Sequence, residues 1–354
     1  MHPSMSFTRT LHVLTFPAVT VRYDATGQPM SLIDIRPMDM GDVMDGTIRV
    51  YRRNPWVFVS ILAALIGIPT FFSQIANKYF IGIYTQVMTA ANVQGWEPGV
   101  WKAFISPEAL TAEGVMLLMG FVMFFLQPMA SAVMVHAVSE TILGRGVDFS
   151  RSFQAVKSKF GTIILAYFLY VLLILALLAP SIISVFAMIA QGKFYDIMPI
   201  FLVLFFLGSY LMFFFSIKFL FIPQSVVLDG TQAVGSLMRS YGLTSGYWWR
   251  TLGIYIFISF VVGIIVGLLG QTVTVLDLAL RQVEQIPKYA VVSLGAAIDT
   301  ALALFLNPII SIATTLMYYD LRIRKEGFDV ILLASSLLGG ASGREKQGEE
   351  VPIG

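Results

Sequence analysis

The 354-residue chain contains no cysteine, only three histidines, and little charge: 12% of its residues are Asp, Glu, Lys or Arg. The absent thiols exclude disulfides, thiolate metal sites and cysteine nucleophiles. Charge at half the level of ordinary soluble domains, where about 25% is usual, argues against a globular soluble protein. No Walker A loop, GxSxG elbow, HExxH pair or dinucleotide fingerprint occurs in the chain, so the familiar signatures of nucleotide, ester and zinc-peptidase chemistry are missing. Its basic stretches lack the aromatic interleaving of nucleic-acid binders, which leaves no nucleic-acid partner to propose.

What fills the chain instead is apolar. Hydrophobic residues reach 57%, arranged in runs long enough to cross a bilayer at about 20 residues each. Six spans are expected at about 56–76, 114–138, 161–190, 198–222, 251–270 and 291–318. The expected fold is therefore an all-α integral membrane protein. A leader covers 1–30, the membrane domain 31–330 and a tail 331–354. The leader has no uninterrupted apolar core and does not read as a signal peptide. It reads either as a disordered segment or as an upstream start, with translation beginning at Met30.

Sorting the 23 Lys and Arg by connection places six before the first span, four in the second connection, two in the fourth and five in the tail. That makes 17 on the N-terminal side against five on the other, with Lys218 inside a span. The asymmetry predicts both termini in the cytoplasm of a bacterial inner or plasma membrane, with 77–113 as the largest outside segment.

Two stretches echo each other 180 residues apart. Gln127-Pro128 and Asn307-Pro308 each put an amide before a proline within a span, and Glu140 and Asp320 each follow their proline by 12 residues. A looser third copy runs through Pro223-Gln224 to Asp229. Proline removes a donor and frees the carbonyl one turn back, so a polar group must compensate inside a membrane. Gln127 and Asn307 are the expected suppliers.

Three short segments starting near Asp39, Asp148 and Asp229 show helical apolar periodicity with cations around it. Their apolar faces are Met40, Val43, Met44, Ile48 and Tyr51; Phe149, Phe153, Val156 and Phe160; and Val234, Leu237, Met238 and Tyr241. Such helices lie in the headgroup plane. The organisation expected is thus three helical hairpins, each preceded by a basic amphipathic helix. Arg49, Arg52, Arg53, Lys157, Lys159, Arg322, Arg324 and Lys325 are expected to meet anionic lipid headgroups, at about 1 kcal/mol per cation.

IRPMDMGDVMDGTIRVYRRNPWVFV near the start and NPIISIATTLMYYDLRIRKEGFDV near the end resemble the membrane domain of the glycerophosphoryl diester phosphodiesterase family. The likeness covers about 31–330. It implies a multi-pass bundle and no phosphodiesterase activity, because that chemistry belongs to a barrel domain with paired histidines, which this chain lacks.

The remaining candidate residues are few. His136 and Glu140 share a helix face at metal-ligand spacing, but one histidine and one carboxylate make an incomplete site; a hydrogen-bonded pair is the expectation, with no metal. No cofactor is expected. Lys218 sits in a Phe-rich span close enough to its end to snorkel. Asp299 lies in the outer half of the last span, where a carboxylate marks a transport pathway, a wetted vestibule or a helix cap. Gly263, Gly267 and Gly270 form a small-residue stripe suited to close helix packing. Three functions follow: a non-enzymatic module organising lipid, partner proteins or copies of itself; a transporter or channel with Asp299 in its pathway; and, with least support, a membrane-embedded lipid enzyme, for which the cytoplasmic-end cluster His136, Glu140 and Asp320 holds the only candidates.

Overall fold

The computed structural model describes residues 36–94, 106–191, 194–280 and 286–327. The expected leader and tail lie outside these residues. Among the described residues the chain is helical throughout and has no strand. Six helical stretches are long and apolar enough to cross a membrane: Pro55–Thr89, Pro107–Ile142, Phe149–Gln191, Tyr195–Leu228, Trp248–Asp277 and Lys288–Glu326.

Local chemistry sets the boundaries. Helix α1 (Met40–Arg53) opens on Asp39, whose carboxylate accepts from Asp42 N at 2.7 Å while Asp42 accepts from Asp39 N at 3.0 Å. This reciprocal box satisfies two otherwise orphaned donors. Asn54 leaves helical geometry, and Pro55 restarts the chain as α2 (Pro55–Leu62), a position where its missing N–H costs nothing. A π-helical turn, Ala63–Gly67, joins α2 to α3 (Ile68–Gln94). Ser106 caps α4 (Pro107–Ile142) and Asp148 caps α5 (Phe149–Val156). There follow α6 (Phe160–Gln191), α7 (Phe194–Lys218), α8 (Ile222–Leu228), α9 (Ala233–Thr244), α10 (Trp248–Leu280) and α11 (Lys288–Glu326).

Sequential long helices pack most extensively: α3 on α4, α6 on α7, and α10 on α11. Helix α11 also packs on α1 and α3, and a continuous apolar core runs from Val43 and Phe58 through Val133, Met134 and Ile163 to Leu316 and Tyr318. The approach of α6 to α7 depends on Gly208, because a Cβ there would stand 2.9 Å from the Leu177 carbonyl oxygen.

The helices overrun the expected spans. Residues 77–94, read as the start of an outside segment, continue α3 as helix. At 39 residues α11 is about 58 Å long, well beyond a 30 Å hydrocarbon core. Its last turns, YYDLRIRK, are mostly buried in the bundle end, with Lys325 exposed, before Gly327 closes the helix at φ 59°. The glycine stripe of α10 also differs from expectation. Nothing lies within 4 Å of a Cβ placed at Gly263, Gly267 or Gly270, so these glycines face away from the described helices.

Candidate functional site

The polar residues concentrate at the bundle end that holds α1, α5, α8 and α9, where they form two linked clusters. Asp320 is fully buried. It accepts from the Met38 backbone N–H at 2.8 Å, from Arg250 at 2.6 Å and from Arg324 at 2.9 Å. Both arginines also donate to the Met38 carbonyl, Arg324 at 2.8 Å. One carboxylate thus ties the chain entering α1 to the first turn of α10 and the last turns of α11.

The second cluster surrounds Asp229, which accepts from Arg239 at 2.7 Å and the Tyr318 hydroxyl at 2.6 Å, and pairs with Arg322 at 3.1 Å. Glu326 closes the ring by accepting from Arg239 at 2.9 Å and Arg322 at 3.2 Å. Two carboxylates face two guanidiniums, so the cluster is neutral. Burial lowers the Arg239 pKa, but the Glu326 and Asp229 carboxylates outweigh it and hold the group above its ordinary value. The network joins the segment after α8 to α9 and the end of α11.

This geometry changes the role of several expected lipid contacts. Arg322 is buried in the ion network and does not reach headgroups. Arg324 is spent on Asp320 and Met38, and Lys159 donates to the Val227 carbonyl at 2.8 Å. Arg49, Arg52, Arg53 and Lys157 lie exposed on the surface, as does Lys325, which donates to the Gly242 carbonyl.

The amide-proline pairs are also corrected. Pro128 and Pro308 are buried, whereas Gln127 and Asn307 point outward and make no side-chain hydrogen bond to any described residue. The carbonyl that Pro308 frees is that of Leu304; one residue on, the Tyr51 hydroxyl of α1 donates to the Phe305 carbonyl at 2.9 Å. Burial raises the Tyr51 pKa, which keeps this hydroxyl a donor. Asn307→Leu should therefore leave the melting temperature unchanged, while Tyr51→Phe should cost about 1 kcal/mol. Thermal unfolding in detergent distinguishes them; equal losses would return the role to Asn307.

At Pro223 the helix breaks completely, and α8 begins there as a new helix. Helix α9 satisfies the break. Ser240 Oγ accepts from Phe221 N at 3.1 Å and donates to the Lys218 carbonyl at 2.8 Å. Gln224 is buried and donates to Thr314 at 3.3 Å. Because the cap needs small hydroxyls, α9 turns Ala233, Ser236, Ser240 and Thr244 inward. Its apolar stripe Val234, Met238 and Tyr241 faces outward, the reverse of a helix on a soluble core. Helix α1 does this in part: Val43 and Val50 are buried, while Met40 and Ile48 are exposed.

His136 and Glu140 do not pair. Glu140 accepts from Arg145 at 3.0 Å, and His136 Nδ1 is buried without a partner among the described residues. Those residues contain no group of three or more His, Asp or Glu able to hold a metal. Lys218 reaches the C-terminal end of α9. It is 5% exposed, and its ammonium donates to Ser245 Oγ at 3.0 Å between the rings of Phe214 and Tyr241.

Far from these clusters, Asp299 on α11 is paired with Lys78 on α3 at 2.8 Å. Lys78 lies beyond the expected end of the first span, at 76, but within α3, which continues as helix past it. Gly295, one turn before Asp299, makes room for its stem: a Cβ there would lie 3.0 Å from Lys78 Nζ. The pair is separate from Gln127 and Asn307, which it does not contact.

The apolar length of these six helices, and the buried ion networks joining their ends, define a multi-span helical membrane protein. A family model described as a domain of unknown function, DUF7847, matches residues 38–321, and the chain belongs to that family. No curated protein and no solved structure matches it.

Proposed function

We propose that this protein is a non-enzymatic membrane module that organises anionic lipid along its basic end, lying in the cytoplasmic leaflet with both termini inside the cell. The observation that carries the reading is the outward apolar face of α9 and, in part, of α1; the apolar face of α5 packs inward on the core. Helix α9 exposes Val234 and Met238, and α1 exposes Ile48 beside Arg49 and Arg52. Apolar side chains bordered by cations suit the boundary between acyl chains and anionic headgroups. In this reading the chain is three hairpins, each led by a basic interfacial helix. The carboxylates and arginines nearest the centre of that end are engaged with one another, which supports a structural use for them. The likeness to the glycerophosphoryl diester phosphodiesterase membrane domain is offered as kinship of architecture alone.

The absence of native cysteine makes a direct test simple. Single cysteines at Ile48 and Met238, carrying an environment-sensitive fluorophore, should emit as if in a low-dielectric medium and be quenched by shallow spin-labelled lipid. A cysteine at Arg52 should react with an impermeant maleimide from the cytoplasmic side only. Water-like emission at Ile48 and Met238 would remove the interfacial placement, and labelling of Arg52 from outside would invert the orientation.

The Lys78–Asp299 pair favours a second reading, a transporter or channel. Ionisable groups within apolar spans mark ion or substrate pathways often enough to require a flux measurement.

A further inference from the structure

Lys218 and Lys325 both reach the C-terminal end of α9. Lys218 Nζ donates to Ser245 Oγ and Lys325 Nζ to the Gly242 carbonyl, so the two ammonium groups share the turn between α9 and α10. Each lies over an aromatic ring, Lys218 at 4.5 Å from that of Tyr241 and Lys325 at 5.9 Å from that of Tyr247. Neither makes an ion pair with a described carboxylate. The contrast with their neighbours is sharp: Arg239, Arg250, Arg322 and Arg324 each hold at least one carboxylate.

A cation removed from water is costly unless an anion and hydrogen bonds replace its hydration. An ammonium has three donors, and one protein acceptor is seen for each lysine. Lys218, 5% exposed, bears that cost, which aromatic faces and one hydroxyl offset only in part; Lys325, at the surface, adds a second positive charge beside it. The surroundings specify which anion fits. Met238 and Trp249 beside the turn are 71% and 78% exposed, and Val234 and Tyr241 continue the outward apolar stripe. An anion bound here comes with hydrocarbon attached.

We propose that Lys218 and Lys325 bind the phosphate of an anionic phospholipid across the α9–α10 turn, with its acyl chains along the Val234–Met238 stripe. The inference deepens the lipid-organising reading and rests on it. It assigns that reading one discrete site, in place of a diffuse attraction spread over all exposed cations.

Native mass spectrometry of the full chain, released from detergent with matched-chain phosphatidylglycerol or phosphatidylcholine, tests it. The parent protein should retain one phosphatidylglycerol in preference to phosphatidylcholine. Lys325→Gln and Lys218→Gln should each weaken that preference about fivefold, and excess inorganic phosphate should leave the lipid bound. Lys288→Gln, exposed at the opposite end of α11, should retain the parent's preference. Lys325 is at the surface, so its variant decides the matter if Lys218→Gln fails to fold. An undiminished preference in Lys325→Gln overturns the site while leaving the lipid-organising reading standing. Displacement by inorganic phosphate also overturns it, in favour of a soluble anion. A parent that shows no preference between the two lipids removes both.

Discussion

Asp320→Ala should be the most damaging single substitution at the basic end, costing on the order of 3–5 kcal/mol. The carboxylate is fully buried and accepts from Met38 N, Arg250 and Arg324. Its loss leaves two guanidiniums facing each other and a buried N–H without an acceptor, and that residue of unpaired donors supplies most of the cost. Asp320→Asn should fall between, because an amide oxygen still accepts but the charge balance is lost. The check is thermal unfolding in detergent together with limited proteolysis at Arg49, Arg52 and Arg53. The damage should appear first as cleavage in α1, before the spans unfold. An unchanged melting temperature with α1 still protected would show that the cluster contributes nothing.

A comparable loss is expected at the other ion pair. Asp299→Ala strands the Lys78 ammonium among apolar helices, again at about 3–5 kcal/mol. Exchanging the two residues, Lys78→Asp with Asp299→Lys, should restore most of the stability, and Lys78→Met with Asp299→Leu should be nearly neutral. Failure of both double variants to recover stability would mean that the 2.8 Å contact is not the source of the effect. The same proteins in liposomes separate the two functional readings. Asp299→Asn that abolishes solute flux without lowering the melting temperature would establish the pathway reading over the scaffold one.

The sequence made some of this visible, and the limits have physical causes. Span existence follows from hydrophobic length, so six helices could be placed before any contact was known. The Asp39 cap was equally legible, because its chemistry is completed within four residues. Partner choice was not. Lys78 and Asp299 stand 221 positions apart, and nothing local to either residue names the other. Gln127 and Asn307 looked like suppliers to the kinks because they are adjacent in sequence; both face outward, and the hydroxyl bonded to the backbone near Pro308, that of Tyr51, arrives from a different helix. Periodicity found the stripe of α9 but could not orient it. In water an apolar stripe turns inward; at a bilayer surface it can turn outward while serines seal a broken helix within. The cue available was Ser240 and Thr244 on the opposite face, one turn apart, whose hydroxyls reach the Lys218 carbonyl just before Pro223.

The clasp on Met38 also has a temporal meaning. Helix α1 is synthesised before every span, yet the groups that hold its entry, Arg250, Asp320 and Arg324, lie 212 to 286 residues further along the chain. Local capping gives α1 its helical form early, but its docked position is available only after α11 has been made. The first helix to emerge is therefore among the last to be fixed in place, and its seating reports that the whole bundle has been assembled.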